Sequence, residues 1–576
     1  MGTISDKLMR IISTKEDIRQ ALISKGYDVP TSIPFKEYAK MILDLPCKAD
    51  SFPDIEGIVA RYSASGLTNE QMAANPVWVD KTGNGHDLQL KNFSWKGMSG
   101  IGGYVADIDE WGTNSTAAYF ERNSIKITAT FKENASLGLL YHNIKLRQSC
   151  VLKVTGIPEG CDAFLDDRLG NRFYMSEDGV YEIIPSNFLA EALYLSIEKY
   201  PERWYGSKLT IEQLPLYPGA LVFDGVDDYG TCDNFPILTK EKGYTVVALR
   251  QWITRGEIAQ GLVSNVKNWL KDGAFLLEYR NIQAEHLNKP ISFGAIGSEN
   301  DLPHILTYQT SKSYNGVSIT TGNFEGTDVL HVGKLAPTNV GTCINAAIWE
   351  LVFLDHDATE EELTKIKDYF IKTYPWLFPD QAWTVTGKTN EDEDRATITN
   401  ITGNGNDLVL SNFGFIEGSG YNEEGQYAGY LVTDGVDDKI ASSDFKMGKD
   451  FTIVGDWKFI DNKKSGTGLV KGSSFYIYNT MIGLDLYINS GSVKNSLDGI
   501  KSINAACSDG RAYDRNWNEI LANTGNVVGS GGILEVSSSG GRFDRIAFKN
   551  LAIYPRILSK DDCIKAYNYL QTLKSK

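Results

Sequence analysis

The residues with most scope for chemistry form two acidic clusters of identical wording. Asp224-Gly-Val-Asp227-Asp228 recurs as Asp434-Gly-Val-Asp437-Asp438. Three carboxylates so close together can hold Ca²⁺, a hard cation that takes several oxygen ligands. Short acids around a glycine also close a tight turn by accepting backbone amide hydrogens. The turn reading is preferred, because the longer ligand series of an EF-hand loop does not follow. Thr82-Gly-Asn-Gly85 and Thr402-Gly-Asn-Gly405 superficially resemble phosphate loops. They lack a following Lys-Ser/Thr and a βαβ context, so hairpin turns built on Asn-Gly are expected. Histidines stand at 86, 142, 286, 304, 331 and 356, never at i, i+4, which excludes a helical zinc pair. The nucleophile-elbow pattern GxSxG does not occur. A carboxylate pair drawn from distant strands leaves no local signature, so it stays open. Trp95, Trp111, Trp204 and Tyr205 lie near turn-rich stretches. Their faces could stack on sugar rings, but burial in a core is the preferred reading for each. No catalytic constellation assembles, so no enzymatic activity, cofactor or metal is expected.

The elements that must position these groups are short β-rich runs beginning at Asp54 and broken by Gly, Asn and Asp. Three motifs recur in one order. Thr82 to Phe93 matches Thr402 to Phe413, the acidic clusters follow, and Leu351-Val-Phe-Leu354 ahead of Thr359 matches Leu551-Ala-Ile-Tyr554 ahead of Ser559. The chain therefore carries two copies of one domain. Phe93 and Asp224 are 131 positions apart, whereas Phe413 and Asp434 are 21 apart, an excess of 110. That is the size of a small inserted domain. It reads as β through Ile125–Phe131, Val151–Val154, Val180–Ile183, Leu193–Ile197 and Leu209–Ile211. The expected divisions are 1–48, a first sandwich of 54–107 plus 219–375, an insert of 108–218, and a second sandwich of 380–576. Each copy closes on one capped helix with an apolar stripe, Leu363, Ile366, Tyr369 and Phe370 in the first and Cys563, Ala566, Tyr569 and Leu570 in the second. Pro375 to Pro379 reads as the linker between them.

The start of the chain is different. Leu8, Ile11, Ile12, Ile18 and Leu22 recur at helical spacing, with Ser13 and Glu16 as a capping box and Gly26 as a stop. Phe35, Tyr38, Ile42 and Leu43 make a second apolar stripe behind Pro34. A helical hairpin this small buries little by itself, so it is expected to pack on a partner.

Composition narrows the classes. In 576 residues, 42% hydrophobic and 23% charged is ordinary globular usage. A net charge of −16 is wrong for gripping phosphates, which excludes nucleic acid as the expected partner. Seven dispersed cysteines without a CxxC argue for reduced thiols. No signal-peptide h-region opens the chain and no apolar run is long enough to cross a bilayer, so cytosolic synthesis without membrane insertion is expected.

Phe223-Asp-Gly-Val-Asp-Asp-Tyr229, with Ile348-Trp-Glu-Leu-Val-Phe-Leu354 before a helix, resembles the laminin G-like and concanavalin-like jelly rolls. The resemblance covers most of 54–375 outside the insert, and 380–573. It implies two-sheet sandwiches that bind sugars or proteins, with the acidic turn as a structural signature. Thr14-Lys-Glu-Asp-Ile-Arg-Gln-Ala-Leu-Ile-Ser-Lys-Gly26, through to Pro34-Phe-Lys-Glu-Tyr38, resembles the N-terminal module of tailed-phage fibre and virion proteins. The likeness is to phages of gut Bacteroidetes in particular, including the crAss-like group. Together these imply a mainly β chain: two jelly rolls, one inserted β-sandwich and a short α-helical N-terminal module. The role implied is a structural protein of the virion, a head fibre or capsid decoration, or a tail fibre. It would dock on capsid or tail proteins by its N-terminus, assemble as a homo-oligomer (dimer or trimer) and present lectin-like domains to host-surface glycans. No heptad, collagen or β-helix repeat supplies a long shaft, which favours a short fibre. A bacterial carbohydrate-binding surface protein and a glycan-degrading enzyme are the alternatives.

Overall fold

The computed structural model describes residues 52–575, apart from 106–107, 114–116, 134–137, 145–149, 184–191, 240, 255–259, 266–274, 281–291, 294–304, 319–326, 335–342, 424–426, 461–466, 472–474, 480–482, 489–495, 499–502, 515, 522–529, 537 and 540–541. The fold is mainly β. In the first jelly roll an eight-stranded sheet is centred on Asn345–Leu354. That strand pairs with Thr245–Thr254 on one side, and with Leu221–Asp224 and Ile58–Ser63 on the other. A seven-stranded sheet faces it, and Tyr62, Trp78, Leu90, Phe223, Leu262, Ile348 and Phe353 are among the side chains filling the space between. The second copy repeats the arrangement. Ile546–Tyr554 is central, flanked by Thr452–Phe459 and by Tyr430–Val432 and Gln381–Thr384, over a core that includes Trp383, Leu410, Ile440 and Leu551.

Both central strands carry a bulge at the same place. Leu249 opposes Glu350 and Arg250 opposes Ile348, so Trp349 is passed over. Likewise Asp456 opposes Asn550 and Trp457 opposes Phe548, passing over Lys549. A bulge re-aims the extra side chain and lets the strand change phase. The consequence is burial on both faces. Ile348, Leu351 and Phe353 fill their own sandwich, while Ala347, Trp349, Val352 and Leu354 enter a second core. That core also takes Val454, Ala552 and Tyr554 from the other copy, and lies under both closing helices.

Those helices are held as the sequence leads one to expect. Thr359 and Glu362 form a reciprocal capping box at the start of Glu360–Thr373, and Ser559 caps Lys560–Leu570. Ile366 and Phe370, then Cys563, Ala566, Tyr569 and Leu570, are buried. The stretch expected to be a linker is part of the core instead. Pro375–Leu377 is a 3₁₀ turn with Trp376 and Leu377 buried. Tyr554 donates its hydroxyl to the Trp376 carbonyl at 2.9 Å, and Lys565 Nζ lies 4.3 Å over the Trp376 ring. Six of the seven cysteines fall among the described residues, and all six are buried free thiols.

The insert forms two five-stranded sheets around Trp111, Ile127, Leu140, Leu195 and Trp204. The five strands readable from alternation are joined by Gly112–Thr113, Ala118–Arg122, Gly138–Ile144, Asp162–Asp166 and Arg172–Met175. Asp162–Asp166 is buried at every position and shows no alternation to read. The insert also docks on the second jelly roll. Val151 and Val180 join the shared core. Glu182, buried, meets Lys549 Nζ at 3.2 Å and accepts the Tyr567 hydroxyl at 3.3 Å. Asp456 takes the Tyr430 hydroxyl at 2.7 Å beside them. Burial opposes ionisation of Glu182, but attraction to Lys549 and Lys458 outweighs it and holds the carboxyl at about 2. Asp456 is pushed up, by burial first and then by the Glu182 charge.

A buried ion pair that loses one partner strands the other charge, at a cost of roughly 3–5 kcal/mol. Lys549→Met is therefore expected to destabilise the chain by about that much, and Glu182→Gln added to it to recover most of the loss. Denaturant unfolding of the four proteins checks this; additive losses would show the pair to be uncoupled. Because the Glu182 value is lowered on folding, its contribution is present above about pH 4.5 and is lost as pH falls towards about 2.

Candidate functional site

The two acidic turns have nearly the same geometry. Asp224 Oδ1 accepts the Val226 amide at 2.8 Å, and Asp434 Oδ1 accepts that of Val436 at 2.7 Å. Asp228 accepts the Asp224 amide on Oδ2 at 3.0 Å and the Ser99 hydroxyl on Oδ1 at 3.0 Å. Asp438 does the same with Asp434 at 2.7 Å and Ser419 at 3.1 Å. Asn92 and Asn412 each donate Nδ2 at 3.0 Å to the carbonyl of the middle acid, Asp227 or Asp437. Both asparagines have φ 67. The repeated motifs thus meet in space and hold one another. A side chain on Gly420 would bring its Cβ within 2.8 Å of Phe415 Cα, so the close approach at this corner requires glycine.

Three carboxylates per turn lie within 4.8 Å of one another. Asp228 and Asp438 are fully buried. Burial, with the Asp224 charge adding to it, pushes Asp228 up to about 7, and burial raises Asp438 to about 6. Their oxygens already accept hydrogen bonds that close the turn. The Thr-Gly-Asn-Gly segments lie in the loops that join antiparallel strands, Val77–Trp78 with Leu88–Lys91 and Thr397–Ile398 with Leu408–Ser411. Each wraps a single polar residue, Asp80 or Asn400, that accepts from the Thr82 or Thr402 amide and hydroxyl. Asn84 and Asn404 then donate to the carbonyls of Val59 and Asp380.

The aromatic candidates are corrected by their burial. Trp111 and Trp204 are core residues of the insert, 3% and 0% exposed, and neither has a face to offer a sugar. Tyr205 is half-buried and packs against the same core. Trp95 is half-buried and stacks on Phe93 at 4.9 Å. The N-terminal candidates, Leu8, Ile11, Ile12, Ile18, Leu22, Phe35, Tyr38, Ile42 and Leu43, lie outside the described residues.

Two junctions among the described residues have room for a ligand: a pocket of about 490 Å³ between the insert and the second jelly roll, and a groove of about 520 Å³ where the two jelly rolls meet. Strand Leu306–Thr310 and the helix Glu360–Thr373 supply one wall. The 3₁₀ turn, the segment after it and the Thr402–Gly405 loop supply the other. Tyr308 and Phe378 give half-buried rings, Asn315, Thr402 and Asn404 give polar groups, and Lys367 and Arg556 give cations. Asp380 is the carboxylate in this lining among the described residues. Sites at domain junctions with a few polar groups among apolar and aromatic walls are typical of small-ligand pockets, and the volume falls in that class. The sequence offered no signal for this groove, because its walls come from two copies far apart in the chain.

The acidic turns lead to a pH prediction. Both buried acids have folded-state values above the ordinary 3.8, so the folded chain binds more protons than the unfolded one. Their contribution is complete below about pH 3.8 and is lost as pH rises towards about 7. Asp228→Asn with Asp438→Asn should flatten this part of the melting-temperature curve. Chelator should leave the melting temperature of the natural chain unchanged; a clear fall would identify a bound cation at the turns.

No protein-family model matches the chain, and no curated protein matches it in sequence. Among solved structures it is similar to a Trypanosoma rangeli sialidase mutant displaying trans-sialidase activity, at 10% identity over 47% of this chain and 49% of that one, with a TM-score of 0.23. The match thus spans about half of that protein's length. Against T. rangeli sialidase itself the identity is 9% over 80% and 84%, with a TM-score of 0.25. Against a structure of botulinum neurotoxin type C, described as dependent on two ganglioside molecules for cell entry, it is 8% over 87% and 98%, with a TM-score of 0.18. Likenesses this slight carry no argument about what the chain does.

Proposed function

We propose that this chain is a structural adhesin of a tailed-phage virion, a head fibre or capsid decoration that docks by residues 1–48 and holds host-surface glycan between its jelly rolls. The observation that carries the glycan part is the groove of about 520 Å³ with Tyr308 and Phe378 among polar side chains. An aromatic ring covers the apolar C–H face of a pyranose, while side-chain amides and hydroxyls satisfy its hydroxyl groups. Hydrolysis by the two-carboxylate route needs a pair of acids across the bond. Among the described residues the groove lining supplies one, Asp380, so the reading is binding without cleavage. Weak single contacts suit this role, because several copies on one particle multiply them into avidity. The virion part is supported by the wording of Thr14 to Tyr38 and by the apolar stripes of that segment.

Purified chain should bind saccharides on a glycan panel, and Tyr308→Ala should weaken that binding about tenfold, or roughly 1.4 kcal/mol. Unchanged binding by Tyr308→Ala and Phe378→Ala would remove the groove from the reading. Release of reducing sugar from host polysaccharide would make the chain an enzyme. A chain beginning at Ser51 should fold and bind saccharide yet be missing from particles; its normal incorporation would end the docking assignment.

A further inference from the structure

We infer that the groove between the jelly rolls selects an acidic saccharide, whose carboxylate is received by Lys367 and Arg556. The inference rests on the saccharide reading above and adds the charge of the ligand. The chain carries −16 overall, yet this groove is lined by two cations and one acid among the described residues. Neither cation has an ion-pair partner among the described residues. Lys367 stands on the helix Glu360–Thr373 with Leu363, Thr364, Phe370 and Ile371 at the i±3 and i±4 positions, none of them able to pair with it. Two residues earlier on the same helix, Lys365 does find a partner in Glu361, at 2.8 Å. No carboxylate among the described residues lies within ion-pair distance of Lys367.

Arg556 is half-buried and donates Nη1 to the Pro375 carbonyl at 3.2 Å. It has no ion-pair partner among the described residues either. Burial works against its charge, and Tyr554 and then Asp380 offset that only in part. Asp380 itself accepts Gln381 Nε2 at 3.2 Å. A guanidinium removed from water without a carboxylate is costly, and the donors it keeps match a carboxylate two at a time. An anionic sugar entering beside Tyr308 completes both requirements: the ring lies on the aromatic and the acid reaches the cations. A neutral sugar satisfies only the first. The two cations then act as the specificity-determining residues of the groove.

The test uses the full chain and matched pairs of oligosaccharides, each rich in uronic or sialic acid and each also prepared with its carboxyls reduced to alcohols. Sulfated neutral oligosaccharides form a third arm. Binding is measured by calorimetry at low and at physiological salt. The expected result is binding of acidic members, at least tenfold weaker binding of their reduced partners, and weakening by salt. Lys367→Gln and Arg556→Gln should each lower affinity for the acidic member several-fold and leave a reduced partner untouched. Lys367 is exposed, so its variant folds normally even if Arg556→Gln loosens the turn at Pro375. Equal binding of acidic and reduced forms, unaffected by Lys367→Gln, overturns the inference while the saccharide reading stands. Binding confined to the sulfated arm overturns the carboxylate assignment. Binding to none of the three arms overturns both.

Discussion

The structure depends on burying both faces of two central strands. A sandwich needs only the inner face of each sheet to be apolar, and its outer face is ordinarily solvated. Here Asn345–Leu354 and Ile546–Tyr554 also carry Ala347, Trp349, Val352 and Leu354, and Ala552 and Tyr554, on the outside. Left in water, each large apolar side chain of this kind forfeits roughly 1.5–3 kcal/mol. The closing helices cover part of that surface and the other jelly roll covers the rest. The two copies are therefore one body with a shared core, and the 3₁₀ turn at Pro375–Leu377 is packed within it rather than strung between domains.

The bulge shows how duplicated elements have come to do different work. Trp349 and Lys549 occupy the same passed-over position. Trp349 donates Nε1 to the Pro218 carbonyl at 2.9 Å and meets Tyr569 edge to face at 6.0 Å. Lys549 meets Glu182 of the insert. Next to them Glu350 is buried against Arg61 at 3.2 Å, where the second copy has Asn550 and an apolar Ala382. Charge is thus added or removed in pairs, as the cost of an unpaired buried charge requires. Only the first copy has the inserted domain, and only the second has the lysine that receives it.

What was legible in the residues was what repeats or alternates. The duplicated motifs locate both jelly rolls and the insert, and Ile366 with Phe370 marks a buried helix face. The acidic turns were legible as turns, since Asp, Gly and Asp bond to their own backbone within five residues. Legibility ends where a partner is distant. Glu182 sits in Val180–Ile183 as the polar residue of an alternating strand and reads as solvent-facing, yet it is buried because Lys549 lies across the domain junction. For Trp111 and Trp204 the core was the preferred reading, and their burial agrees with it, but an aromatic near a turn carries no periodicity to say which face it occupies. Pro375 and Pro379 mark the link between the copies, but a break in regular structure says nothing of its burial.

The groove follows from the fusion more than from either jelly roll. Its first wall ends in a helix whose Ile366 and Phe370 face the shared core, which turns Lys367 outward on the next positions round the helix. The other wall carries Arg556 two residues beyond Tyr554, whose hydroxyl is fixed on the Trp376 carbonyl. The guanidinium in turn grips the carbonyl before it, that of Pro375. The same packing that buries the outer faces therefore sets both cations at the junction, with Asp380 as the acid beside them in the described lining and no ion pair formed. Moving either jelly roll would cost the shared core, so the groove is held open by that apolar packing and not by its own side chains. A site built in this way is rigid before any ligand arrives, which lowers the ordering cost of binding.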